Sequence, residues 1–351
     1  MPKFRLERTP APPWFKILIP IMAILVTFLI TSILVIMAKA NPFSAFYYFL
    51  VAPLSNRVSA LETLVKATPL LLTGTAVTVA FASGYWNIGA EGQLYAGAVA
   101  AAYLGTVVGG LPPVLAIPIM LLGGFIAGMF WALIPALLKV KLAVDEVVTT
   151  LLLNSVIMFV VSFLLNGPWR DPISGWPQSP TIAASAMMPK LLPRSRLHFG
   201  FIVALIVIAL VWFLLSRTGL GLKMRAVGLG QEAARFMGVN VNRSMLTAAL
   251  LSGGIAGLAG VSEVAGIHFH LIDAISNGFG YTGILVATLG GLHPIGAGFA
   301  AVFIGLIDTG AQTVSRALGV PVYLGNVVQA TLLLVTLAMF LLQNYRLRRV
   351  S

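Results

Sequence analysis

Residues 61–110 read LETLVKATPLLLTGTAVTVAFASGYWNIGAEGQLYAGAVAAAYLGTVVGG, two apolar runs around the short polar segment 84–93. Each run, 61–83 and 91–110, has about 20 residues, enough for an α-helix to cross a hydrocarbon core of about 30 Å. Unpaired backbone amides in lipid are costly, so an irregular segment at membrane depth is tolerated only where it is buried in protein or lines a wet cavity. We therefore expect two membrane helices joined by a polar break.

The same alternation of apolar runs and short breaks extends along the whole chain. Of 351 residues, 59% are hydrophobic and 9% charged, with a mean hydropathy of +0.98, whereas soluble domains carry about 25% charged residues. This composition excludes a water-soluble fold. The sequence predicts an all-α membrane protein with about ten transmembrane helices at 15–38, 61–83, 91–110, 113–137, 147–165, 199–215, 245–266, 280–292, 296–315 and 322–342.

The basic residues indicate how the chain is oriented in the membrane. The net charge is +12, and the lysines and arginines stand in short tracts beside the apolar runs. Because basic residues are retained on the cytoplasmic side, we expect both termini in the cytoplasm. The predicted organisation is a cytoplasmic N-terminal tail (1–14), a transmembrane domain (15–342) and a basic cytoplasmic tail (343–351).

Two connections between runs are longer than the others. The segment 166–198 has six prolines, which forbid a spanning helix and favour an irregular external cap. The segment 216–244 lies on the predicted cytoplasmic side, and its centre, 231–237, has good helix formers between Gly230 and Gly238. We expect a short helix there, lying across the base of the membrane domain.

The two halves of the chain are loosely similar. Glycine-rich breaks at 83–89 and 277–283 each precede a span rich in small residues. Paired breaks of this kind point to a transport site at a repeat interface. The residues that could line such a path are polar or ionisable and lie in or beside apolar runs: Asn87, Glu91, Gln93, Asn154, Glu263, Asn277, Tyr281 and Gln329.

Each of these candidates also has a structural interpretation. The segment 84–93 reads equally as a polar turn at the cytoplasmic side. The amides Asn154, Asn277 and Gln329 suit hydrogen bonds between helices, and Glu263 suits either a wet path or a pair across helices.

Several classes of function are excluded by what the sequence lacks. The chain has no cysteine, so disulfides and thiolate chemistry are absent. His268 and His270 have only Asp273 nearby in sequence, which argues against a metal site. No G-x-x-x-x-G-K-[ST] loop occurs, and no nucleophile has a matched base, so we expect neither an enzyme nor a bound cofactor. An ion-coupled secondary transporter for a small polar solute remains an alternative, because it would share this composition.

Three stretches resemble the permease subunits of bacterial ABC importers for simple sugars and nucleosides, relatives of the ribose and branched-chain amino-acid permeases. Asn87-Ile88-Gly89-Ala90-Glu91-Gly92-Gln93 is similar to the hallmark of the nucleoside branch. The other two stretches are DEVVTTLLLN at 145–154 and the run from 225 to 238. The latter is similar to the EAA-x-x-x-G loop of importer permeases, although the downstream Ile-x-Leu-Pro is missing.

The resemblance implies a function and a set of partners. It implies a multi-pass subunit of a bacterial inner membrane that carries nucleosides or simple sugars inward by alternating access. Its partners would be a second permease subunit, an external solute-binding protein or lipoprotein, and cytoplasmic ATPase subunits that bind ATP and Mg. The residues implied in coupling to the ATPase are Arg225, Gly228, Gln231, Glu232, Ala233, Ala234, Arg235 and Gly238.

Overall fold

The computed structural model describes residues 3–8 and 15–350, with side chains over 18–19 and 21–339. These residues form the α-helices α1 (Phe15–Met37), α2 (Pro42–Leu50), α3 (Ala52–Ser55), α4 (Arg57–Ala82), α5 (Ala90–Val107), α6 (Pro113–Leu142), α7 (Glu146–Asn166), α8 (Gly200–Arg217), α9 (Gly219–Leu229), α10 (Gln231–Phe236), α11 (Val241–Glu263), α12 (Phe279–Leu289), α13 (Pro294–Leu318) and α14 (Leu324–Asn344). Short 3₁₀ turns occur at Val108–Gly110 and Ala184–Ala186, and a π-helical turn, Val264–His268, continues α11. The strands β1 (Lys3–Arg8) and β2 (Tyr345–Val350) pair antiparallel.

The helices account for the apolar runs of the sequence. Within the described chain, α4, α6, α7, α8, α13 and α11 with its π-helical turn are long and apolar enough to cross a membrane. A seventh crossing results if α1 and α2, which meet at a bend of 120°, count as one span. Every predicted run coincides with a helix, but α12 has only 11 residues, too few to cross alone. Apart from the strands β1 and β2 the described chain is helical, so the all-α class is confirmed, while ten crossings stay a prediction.

The chain divides into two compact units. The first contains Met1–Ala60 and Leu306–Ser351, and the second contains Leu61–Gly305. In the first unit, α1 packs along α14 and the rings of Phe28 and Phe46 meet edge to face with centroids 4.7 Å apart. The predicted path residue Gln329 belongs to this unit, where its Nε2 donates to Asp308 Oδ1 at 2.5 Å.

The second unit is built around two buried helices. In the most apolar 18-residue stretch of each helix, 89% of α4 and 78% of α11 with its π-helical turn are buried, against 22% of α7. Small residues allow the close packing: a Cβ on Gly257 of α11 would lie 2.2 Å from the carbonyl oxygen of Gly124 in α6. Without a hydrophobic driving force between helices in lipid, such backbone contact supplies the van der Waals attraction that holds them together. The outer helices α6 and α7 present their apolar side chains outward.

Candidate functional site

The polar break joins α4 to α5 and lies inside the second unit. The helix α4 ends where Gly84 adopts a left-handed φ of +72°, and Tyr85 N donates to Ala80 O at 3.0 Å while Gly84 N donates to Phe81 O. This hydrogen-bonded ending satisfies the last carbonyls of the helix and turns the chain sharply. Residues 83–89, called the break segment from here on, then run without regular structure to the start of α5.

Two amide side chains bind the break segment to the first turn of α5. Asn87 Nδ2 donates to Gln93 Oε1 at 2.9 Å, and Gln93 Nε2 donates back to Asn87 Oδ1 at 3.1 Å. Asn87 also donates to Ser252 Oγ on α11 at 2.8 Å and accepts from Gly89 N at 2.9 Å. Both side chains are buried, and all four hydrogen-bonding positions of Asn87 are filled. We call Asn87, Gln93 and Ser252 the amide clamp.

A third amide attaches the break segment to α7 and α12. Asn154 of α7 accepts from Gly92 N at 2.8 Å and donates to Ile88 O at 3.0 Å and to Tyr281 Oη at 3.2 Å. Asn154 is fully buried, whereas Tyr281 is 40% exposed. Among the predicted path residues that bond to one another here, Tyr281 therefore has the largest exposed fraction.

Glu91, in the first turn of α5, reaches the start of α12. Its Oε2 accepts from Gly280 N, in the first turn of α12, at 2.7 Å, across 189 residues of sequence. Gly278 stands at the N-cap of α12 and has no side chain; Ser276 Oγ accepts from Phe279 N at 3.0 Å, and Glu91 accepts from the next amide. A carboxylate there satisfies unpaired amides and interacts favourably with the helix dipole. The first turns of α5 and α12 are thus joined through one buried carboxylate.

We expect Glu91→Ala to destabilise the protein by about 1–3 kcal/mol, because it leaves the buried Gly280 N–H without its acceptor. Glu91→Gln retains an acceptor oxygen and should cost about half as much, since it removes only the charge. Thermal unfolding in detergent checks this order. Equal melting temperatures for wild type and Glu91→Ala would contradict the capping role.

Other predicted path residues lie apart from this cluster. Glu263 ends α11, three turns beyond Ser252, where its Oε2 lies 3.8 Å from His268 Nε2. Asn277 is exposed in the turn before α12. The structure therefore joins Asn87, Glu91, Gln93, Asn154 and Tyr281 in one network and does not place Glu263 or Asn277 in it.

Two members of the network were not foreseen. Ser252 is a small polar residue in an apolar run, and nothing in its local sequence marks it. Thr150 contacts the break segment by accepting from Ile88 N at 3.3 Å. Thr150 belongs to the stretch 145–154, where two adjacent threonines in an apolar run are a local signal of a polar contact.

The helices α9 and α10 form a separate surface in the segment 216–244. On α10, Gln231, Glu232, Ala233 and Arg235 are exposed and Ala234 is buried. Arg225 is exposed on α9, and Gly238 follows α10 with a left-handed φ of +79°. The sequence reading missed Leu229 and Phe236, which are 91% and 93% exposed. We call Leu229, Glu232, Arg235 and Phe236 the docking face.

At the start of α8, His198 is buried against α11. Its Nδ1 accepts from Gly200 N at 3.1 Å, while its Nε2 has no hydrogen-bond partner within the described part of the chain. Burial lowers the pKa of His198 to about 4. Since an unfolded histidine has a pKa of about 6.5, the unfolded state takes up a proton first as the pH falls.

Stability should therefore be highest above pH 6.5 and fall progressively as the pH drops toward 4, by about 2 kcal/mol at pH 5. His198→Asn keeps an acceptor near Gly200 N and removes the titrating group. Melting temperatures at pH 7.5 and pH 5 should differ less in this variant than in the wild type. An identical pH response in both would show that His198 does not carry the effect.

No group of three or more His, Asp or Glu side chains suited to a metal ion occurs among the described residues. What the site offers is a buried hydrogen-bond network beside an exposed surface with two apolar side chains.

Comparison with known proteins places these features in context. The profile of a family described as the permease component of branched-chain amino acid transport systems matches residues 59–337. A glucose ABC transporter permease protein of Haloferax volcanii is 32% identical, covering 97% of this chain and 92% of its own. A guanosine ABC transporter permease protein of Bacillus subtilis is 34% identical over 82% of each chain. A nucleoside ABC transporter permease protein of Lactococcus lactis is 30% identical, over 93% and 92%. No solved structure matches significantly.

Proposed function

Because this chain belongs to the family of branched-chain amino acid transport system permease components, we propose that it is the membrane-spanning subunit of an ATP-driven importer. The observation that carries the proposal is the docking face. Leu229 and Phe236 are almost fully exposed, and they lie outside the candidate membrane spans and among charged residues, as apolar side chains of a protein-binding surface do. The sequence has no nucleotide-binding loop, so a partner that hydrolyses ATP must supply the energy for transport. This exposed apolar surface fits contact with such a partner.

We infer nucleosides or related simple sugars as the solutes. The relatives with this coverage are named for guanosine, nucleosides and glucose, all polar, uncharged and rich in hydroxyl groups or base edges. Tyr281, which is partly exposed and whose hydroxyl accepts from Asn154, can offer such a solute both a hydrogen bond and an aromatic face. Transport follows two discrete packings of the helices, open to either side in turn.

The partners and the location follow from the same proposal. ATP and Mg are bound by cytoplasmic ATPase subunits and not by this chain. A second permease subunit, identical or paralogous, completes the path, and an external binding protein or lipoprotein delivers the solute. We place this multi-pass protein in a bacterial inner membrane with about ten helices in the bilayer and both termini in the cytoplasm, as the distribution of basic residues favours.

The experiment that tests the function is uptake of radiolabelled nucleosides and pentoses by cells expressing this chain with an ATPase and a binding protein encoded beside it. Uptake should require ATP hydrolysis and disappear with an ATPase-dead partner. Uptake that survives this partner but collapses with the proton or sodium gradient would instead identify an ion-coupled secondary transporter.

A further inference from the structure

The helix α9 comes close to the end of α4 at two glycines. A Cβ on Gly228 of α9 would lie 2.2 Å from the carbonyl oxygen of Ala82, and a Cβ on Gly84 would lie 3.2 Å from Gly228 Cα. Neither residue carries a side chain at the contact. No rotamer can therefore absorb a shift of one backbone relative to the other.

This contact stands between the two parts of the site described above. Gly228 is one residue before Leu229 of the docking face, and Gly84 lies within the break segment. Asn87 is three positions after Gly84, and its side-chain amide donates to Ser252 Oγ on α11 at 2.8 Å. The next residue, Ile88, is attached to α7 through Asn154 at 3.0 Å.

The attachments on both sides of the contact make it a route for movement. Tightly packed protein transmits displacement because its packing has discrete arrangements and does not deform continuously. A displacement of α9 must push or release the end of α4, and the amide clamp carries that movement to α11 while Asn154 carries it to α7.

We propose that the backbone contact of Gly228 with Ala82 and Gly84 is the positioning element through which movement of the docking face reaches the break segment. The inference rests on the proposed function. It adds the contact at which movement driven by the ATPase is transmitted to the membrane helices. The glycine at 228 is required for contact at this distance, although alanine is the better residue within a helix.

The test is Gly228→Ala in the reconstituted transporter with its ATPase and binding protein, measuring solute molecules moved per ATP hydrolysed. Gly219→Ala is the matched control, because it makes the same change at the other end of α9, where a Cβ meets nothing within 4 Å. We expect the transport ratio to fall about tenfold in Gly228→Ala, a size typical of substitutions along a coupling network. In Gly219→Ala it should stay at the wild-type value.

The ratio separates coupling from folding, since a folding defect lowers transport and ATPase activity together. A wild-type ratio in Gly228→Ala, or losses of both activities in proportion, would overturn the inference. A wild type that moves no solute with ATP would overturn the proposed function instead.

A second measurement needs no variant. Hydrogen–deuterium exchange of the assembled wild type should change over residues 82–89 when a non-hydrolysable ATP analogue binds. A change confined to residues 219–238 would show that movement of the docking face does not reach the break segment, and would overturn the inference.

Discussion

Phe236→Ala and Leu229→Ala should each weaken binding of the ATPase subunit about 30-fold, and the double variant should nearly abolish ATP-driven uptake. The physical reason is that these side chains are 93% and 91% exposed in the free chain and lose the most contact with water when a groove covers them. Because they are exposed, the substitutions should change the stability of this chain by no more than about 0.5 kcal/mol. Titration of the ATPase subunit onto the protein in nanodiscs measures the affinity.

The control is Ile173→Ala, which removes an equally exposed apolar side chain, 95% exposed, from the segment 166–198. It should leave affinity for the ATPase unchanged. The charged members of the docking face, Glu232 and Arg235, should contribute a salt-dependent effect of only a few fold, as exposed charges do. If the apolar variants bind like Ile173→Ala, the docking face is misassigned; if Glu232→Ala and Arg235→Ala leave ATPase stimulation and transport unchanged, the charged residues have no coupling role.

Asn87→Ala should be among the most destabilising substitutions in the chain, costing about 3–5 kcal/mol. It removes four hydrogen bonds and leaves the Gln93 amide, Ser252 Oγ and Gly89 N–H unpaired in a buried site. Each buried polar group without a hydrogen-bond partner costs its desolvation energy without compensation. Denaturant unfolding in micelles measures the loss, and uptake should fall with the amount of folded protein.

A double-mutant cycle with Gln93→Met tests the amide clamp specifically. Methionine has nearly the shape of glutamine without its polar atoms, so the double variant buries fewer unpaired groups than Asn87→Ala alone. We expect a coupling energy of about 1–3 kcal/mol between the two positions. Asn166→Ala is the control, because this asparagine is exposed and its bonds reach only Ser162. Equal stability for Asn87→Ala and Asn166→Ala would contradict the clamp.

The amide clamp also changes what Asn87 and Gln93 can do. The sequence predicts that they shape the translocation path, and that prediction stays open. In the conformation described here they are buried and bonded to each other, so their effect on a path would come from where they hold α5 and the break segment against α11. Tyr281, partly exposed at the edge of the network, is better placed to meet a solute directly.

Local sequence patterns were enough to predict the class of the protein and its two informative segments. Apolar runs of spanning length are a local property, and every predicted run became a helix. The break segment was visible because glycines and polar residues interrupt apolar sequence, and the helix predicted at 231–237 is α10, Gln231–Phe236. Local rules suffice wherever the cause, such as helix propensity or a turn glycine, lies within a few residues of its effect.

Which of these residues meet is visible only in the folded chain. Ser252 lies 165 residues from Asn87, and Gly280 lies 189 residues from Glu91. The contact of Gly228 with Ala82 is equally invisible in the sequence. Such pairs depend on the depth and rotation of separate helices, which are set by close packing of small residues such as Gly124 and Gly257 and not by hydropathy. Hydropathy is nearly uniform around these helices, so it places them in the membrane without specifying which faces touch.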